Sequence, residues 1–205
     1  MNFENDNGAK TKKSSEEDFH FFESVRLVEA LLFASAKPLD RASLQSRIPE
    51  NIDIDVLYED QDIIAINKPS GLVIHPGIQN EKGTLANALV YHFDNLSDVN
   101  GENRRGIVHR LDADTSGVVL VAKTNESHHW LANQFKTRTI QKVYYAITWG
   151  KWSIREGVIE GKMIRKKSDP TSYTIEKGED GKYSKSFFKV LKQFSNFSCL
   201  EFRPY

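Results

Sequence analysis

A chain of 205 residues, 39% hydrophobic and 27% charged, has an ordinary globular composition and suffices for one sizeable domain or a domain with a small appendage. Its single cysteine, Cys199, rules out an intrachain disulfide, and no apolar run approaches the roughly 20 residues that a bilayer-spanning helix needs. The net charge of zero conceals an asymmetry: residues 1–100 carry 9 Lys/Arg and 17 Asp/Glu, whereas residues 101–205 carry 19 and 11, so the second half alone has the cation excess that suits a phosphate-bearing partner.

Residues 1–18 are rich in Asn, Lys, Ser and Glu without periodicity and read as a disordered tail, with no apolar stretch of the kind that directs secretion. Val25, Val28, Leu31, Leu32 and Ser35 recur at helical spacing and predict an amphipathic helix over 22–36, broken by Lys37–Asp40. Asp40 is a suitable N-cap for a short second helix, Arg41 to Arg47, which Pro49 ends. Residues 19–50 therefore read as a helical hairpin, compatible with the start of a winged helix.

From Ile54 the pattern changes to strands. Asp55–Tyr58 and Ile63–Ile66, split by Glu59–Asp62, predict a hairpin. Thr84 can cap a helix through Phe93, residues 94–105 form a polar loop, and Asn125 can cap a helix through Phe135. Val118–Ala122 reads as a buried strand, and Val143–Thr148, Thr171–Glu176, Ser186–Leu191 and Ser198–Phe202 are further strand candidates. Strands outnumber helices and do not alternate with them regularly, which predicts an α+β fold with a largely antiparallel or mixed sheet.

The most informative stretch is His109-Arg110-Leu111-Asp112-Ala113-Asp114-Thr115-Ser116-Gly117, a charge-dense knot running into the Val118 strand. Arg104, Arg105 and Arg110 precede its carboxylates and Lys123 follows them. Read from the residues alone, it is either a carboxylate poised for chemistry on an anionic polymer or a charged turn that closes a strand. His109–Gly117 resembles the H-R-L-D-x-x-T-S-G signature of the RluA-type RNA pseudouridine synthases. Val56 to Gly71 with His75-Pro76-Gly77 is similar to that family's opening hairpin, and Lys142-Val143-Tyr144-Tyr145-Ala146 with Gly150 to its second motif. The resemblance covers about residues 53–205.

That resemblance implies a central mixed sheet with flanking helices beside an RNA cleft, an isomerase acting on ribosomal or transfer RNA in the cytoplasm, and no metal or cofactor. It maps the family's catalytic carboxylate onto Asp112, as nucleophile or base. It maps onto Arg110 the arginine that enters the space left by the flipped base; a phosphate contact or an ion pair with Asp114 is the alternative role. His109 either orients the loop or makes a structural hydrogen bond. Thr115 and Ser116 are expected to tie the loop through side-chain hydrogen bonds, and Gly117 to permit the turn. Tyr144 takes the stacking position, a choice over Tyr145 that the bare sequence does not make. Lys136, Arg138 and Lys142, and then Arg165, Lys166 and Lys167, are basic clusters suited to phosphates or, equally, to a solvated face.

Other chemistries fit less well. Adjacent His128 and His129 on a helix do not share a face, and no Cys pair supports a zinc site. Lys68–Gly71 lacks phosphate-loop spacing, and Lys68 and Pro69 read as shaping a sheet edge; Ser116 lacks the G-x-S-x-G context. The family's third motif, T-G-R-T-H-Q-I-R, would follow a segment like Cys199–Tyr205. Without it, the catalytic carboxylate is expected to lack its arginine partner and the chain to be inactive. Phe187, Val190 and Leu200 are then expected to be left uncovered, with dimerisation possible through the sheet edge. Two alternatives of other classes stand beside this reading. One is an RNA-binding module without turnover. The other is a chromosome-segregation module, because Val28–Leu39 resembles the start of the winged-helix protein ScpB.

Overall fold

In the computed structural model, which describes residues 23, 25–32, 41–77, 80–101, 104–166, 168–169, 172–176 and 181–205, the predicted hairpin is β1 (Asp55–Glu59) and β2 (Ile63–Lys68), paired antiparallel. Asp60 organises its turn. One carboxylate oxygen accepts the backbone N–H groups of Asp62 and Ile63, both at 2.8 Å, and those bonds hold the carboxyl below its usual range. β3 (Gly117–Ala122) adds to β2, again antiparallel, giving the sheet order β1-β2-β3. Ile64 lies opposite Val121 and Ile66 opposite Val119, and all four side chains are fully buried. Each contributes roughly 1.5–3 kcal/mol of apolar burial.

Helices close this first unit, Met1–Asn133. Residues 25–32 form α1 and Arg41–Gln45 form α2, inside the helical spans predicted; the disordered-tail and Asp40-cap expectations fall outside the described residues. α3 (Leu85–His92) follows Thr84 as predicted, and its buried Asn87 joins two segments. The Asn87 carboxamide oxygen accepts from Thr84 N and Oγ1, and its nitrogen donates to Gln45 O at 2.7 Å and Ile48 O at 2.9 Å. Residues 45–52 are thus bonded to α3, as is Ile52 O to the His92 ring at 2.9 Å.

α4 (Asn125–Thr137) starts where expected but with a different cap. Thr124 Oγ1 accepts Ser127 N at 3.1 Å. The Asn125 carboxamide instead clamps the preceding loop, accepting from Ser97 Oγ at 2.7 Å and donating to Asp98. No helix among the described residues is long and apolar enough to cross a membrane.

The second unit, Gln134–Tyr205, is a five-stranded antiparallel sheet in the order β4-β8-β7-β5-β6. Its strands are β4 (Tyr144–Trp149), β5 (Glu156–Arg165), β6 (Tyr173–Glu176), β7 (Lys182–Gln193) and β8 (Phe197–Pro204). The α+β class with antiparallel pairing is as the sequence predicts, but β5 was not expected. Its glycines make room for side chains of the neighbouring strands. A Cβ at Gly161 would lie 2.6 Å from Ile175 Cγ2 on β6, and one at Gly157 would lie 3.2 Å from the Phe188 ring on β7. The expectation that Val190 and Leu200 lie uncovered is corrected. Both are buried with Phe188, and Trp152 and Phe202 pack against them.

His128 on α4 is buried, with neither ring nitrogen hydrogen-bonded among the described residues. Burial, and secondarily the neighbouring His129, push its pKa below the ordinary 6.5. The unfolded chain therefore takes up a proton at a pH where the folded chain does not, so stability falls as pH drops through the unfolded value and is unaffected well above it. The urea midpoint of His128→Leu is expected to fall less than that of the wild type between about pH 7.5 and 5.5. Parallel curves would contradict this.

Candidate active site

Alternation along β2 sets the site. Ile64 and Ile66 point into the core, and the period of two places Lys68 on the same face, where it is fully buried. Its ammonium has three donors and meets three carbonyl oxygens: Pro69 at 2.9 Å, Leu72 at 2.8 Å and Ala113 at 2.9 Å. Burial pushes the Lys68 pKa below the usual lysine range, while the Asp114 and Asp112 carboxylates oppose that shift. The buried cation thus joins the 69–72 loop to the turn that carries the two carboxylates.

Further bonds fix the same turn. Gly71 N donates to Ala113 O at 2.8 Å, Ser70 Oγ donates to Asp114 O at 2.9 Å, and Thr115 N closes onto Asp112 O at 3.1 Å. These ties come from the main chain, Lys68 and Ser70. No hydrogen bond of the Thr115 or Ser116 hydroxyl occurs among the described residues, so the predicted side-chain ties are not what closes the loop. Leu111 is buried beneath the turn. Gly117, at φ 133°, enters β3 directly opposite Lys68 in a conformation that favours glycine. His109 Nε2 accepts the backbone N–H of Leu120 at 2.9 Å and tethers the loop to β3.

Asp112, Asp114 and Arg110 are left exposed on this fixed backbone. Arg110 forms no ion pair with either carboxylate among the described residues. Lys123 is not part of the knot, because it pairs with Glu59 at 2.7 Å and also donates to Asp60 O. Lys68, read from the sequence as shaping a sheet edge, and Ser70 and Gly71, read there as part of the hairpin motif, are the residues that hold this turn.

The other predicted residues belong to the second unit. Tyr144 is half-buried on β4, opposite Phe202, while Tyr145 faces the other side and is 72% exposed, so the strand itself distinguishes the two tyrosines. Lys136 and Arg138 are exposed after the last buried turn of α4, and Arg138, at φ 58°, donates to Tyr205 O at 3.1 Å. Lys142 is half-buried. Arg165 lies over the Tyr173 ring at 5.0 Å, Lys166 is exposed, and Lys167 is outside the described residues.

The first unit thus presents an exposed carboxylate, Asp112, on a turn locked beneath by a buried lysine, and the second unit is a basic antiparallel sheet. A family model for RNA pseudouridylate synthase matches residues 62–205, and the chain belongs to that family. It is 42% identical over 154 residues to an uncharacterized RNA pseudouridine synthase, YlyB, of Bacillus subtilis, covering 75% of this chain and 50% of that protein. It is 44% identical over 147 residues to ribosomal large subunit pseudouridine synthase D of Buchnera aphidicola, covering 72% and 45%. The chain spans about half the length of the curated relatives it matches. The human RNA pseudouridylate synthase domain containing 1 shares the fold, with a TM-score of 0.60 at 21% identity over 82% of this chain and 62% of that one. These matches give the ScpB-like resemblance of residues 28–39 no support.

Lys68→Met would strand three carbonyl oxygens under the turn. It is expected to cost about 3 kcal/mol, read as a lower urea midpoint at unchanged m-value. A midpoint equal to the wild type's would show that the ammonium cage does not hold the turn.

Proposed function

We propose that the chain carries the isomerase chemistry of its family, converting uridine to pseudouridine in RNA. The bond between N1 and the sugar C1′ breaks, the base turns, and C5 bonds to C1′. C5 releases its proton and N1 takes one up, so no atom is gained or lost overall. The target nucleotide must leave the stack for this to happen. Asp112 supplies the essential carboxylate, Arg110 fills the space the base vacates, and Tyr144 offers the flat surface on which the ring is held. The carrying observation is the exposed Asp112 on a backbone that Lys68 and Ser70 immobilise, since a group that acts on one atom must be positioned before substrate arrives. His109 holds the loop to β3. Lys136, Arg138, Lys142, Arg165, Lys166 and Lys167 contact phosphates.

Large-subunit ribosomal RNA is the proposed substrate in preference to transfer RNA, and the cytoplasm the proposed compartment. Relatives from Buchnera aphidicola and Borreliella burgdorferi, at 44% and 40% identity, are named ribosomal large subunit pseudouridine synthase D.

In a chain that continues through the family's third motif, Asp112→Asn is expected to lower tritium release from C5-labelled uridine in a ribosomal RNA transcript by about 10³-fold or more, with RNA affinity changed only a few fold. Turnover retained by that variant would overturn the assignment. RNA binding is also expected to weaken with salt. Replacing Arg165, Lys166 and Lys167 by Ala should flatten the plot of log K against log salt by about 0.7 for each phosphate no longer neutralised. An unchanged slope would place the phosphate-binding cations at Lys136, Arg138 and Lys142 instead.

A further inference from the structure

β4 presents two different faces. Tyr144, Ala146 and Thr148 are half-buried on the side of the Phe188–Val190–Leu200 cluster, whereas Tyr145, Ile147 and Trp149 are 72%, 75% and 90% exposed. At the end of the strand Trp149 meets the β7–β8 turn in a cleft of about 710 Å³, lined also by Lys151, Gln193, Phe194, Asn196 and Phe197. The walls are tied together: Gly150 N donates to Asn196 O at 2.8 Å, Phe194 N to Phe197 O at 2.9 Å, and Ser198 Oγ to Gly150 O at 2.9 Å. Phe194 and Phe197 stack with ring centroids 4.4 Å apart, and the Lys192 ammonium sits 5.0 Å above the Phe194 ring. Among the described residues, no carboxylate lines the cleft. Trp149 lies five residues beyond Tyr144 on one strand, about 17 Å along it.

We infer that this cleft is a second RNA contact that takes an unpaired base of the substrate, with Trp149 as the stacking platform and Lys151 and Lys192 on the adjoining phosphates. The inference rests on the RNA-modifying reading above. An exposed aromatic face beside two cations and no anion matches the surfaces that hold single-stranded nucleic acid. A continuous duplex keeps its base faces covered and cannot use it.

The test titrates the chain with a short fluorescein-labelled oligouridylate and with a blunt RNA duplex of equal length. Trp149→Ala is expected to weaken oligouridylate binding about tenfold and to leave duplex binding unchanged, with Trp149→Phe recovering most of the loss. Lys151→Ala with Lys192→Ala is expected to reduce the salt slope by about 1.4. Since Trp149 is 90% exposed, its variants should keep the wild-type urea midpoint. Undiminished oligouridylate binding by Trp149→Ala overturns the proposal. So does equal weakening on duplex, or a change confined to self-association in sedimentation. If Asp112→Asn abolishes turnover while Trp149→Ala binds oligouridylate normally, the cleft proposal fails and the enzymatic reading stands. If Trp149→Ala binds weakly while Asp112→Asn still turns over, the reverse holds.

Discussion

The ammonium of Lys68 is held inside the first unit by the carbonyls of Pro69, Leu72 and Ala113, at 2.8–2.9 Å, and the geometry of the carboxylate turn follows from it. A buried cation without partners would cost several kcal/mol, so all three acceptors must be in place whenever the unit is folded. One acceptor lies on the turn between Asp112 and Asp114, and the other two lie in the loop that follows β2. Two segments 45 residues apart in sequence are thereby fixed to each other. The carboxylates stay in solvent while the backbone that carries them is held from beneath.

This arrangement joins the sheet to the chemistry. The pairing of Lys68 with Gly117 across β2 and β3 puts the end of one strand beside the beginning of the other. The hydrophobic pairs Ile66–Val119 and Ile64–Val121 fix that register, because a slip of one residue would turn Lys68 out to solvent and the isoleucines with it. Burial of the strand core and placement of Asp112 are one constraint.

Much of this was legible from particular residues. The Ile63–Ile66 run, Thr84 before its helix and the charged knot at 109–117 each carried a local signal that the structure keeps. Lys68 was legible in principle, since Ile64 and Ile66 with a period of two put it inside, but next to Pro69 it reads as shaping a sheet edge. The cap of α4 shifted from Asn125 to Thr124 because Asn125 bonds a loop about 27 residues away, information absent from its neighbours. β5 was missed because Gly157 and Gly161 serve side chains on other strands, Phe188 and Ile175, and only the sheet order reveals that.

Amide hydrogen exchange at Gly71 and Thr115 tests the central claim most directly. Their N–H groups are bonded to Ala113 O and Asp112 O, on the turn that Lys68 fixes. If the turn opens only with the unit, both amides exchange with the same opening free energy as Val119 and Val121 in β3. Exchange at a free energy near zero, with the β3 amides still protected, would mean that the carboxylate turn is a mobile loop and that the buried lysine does not position it.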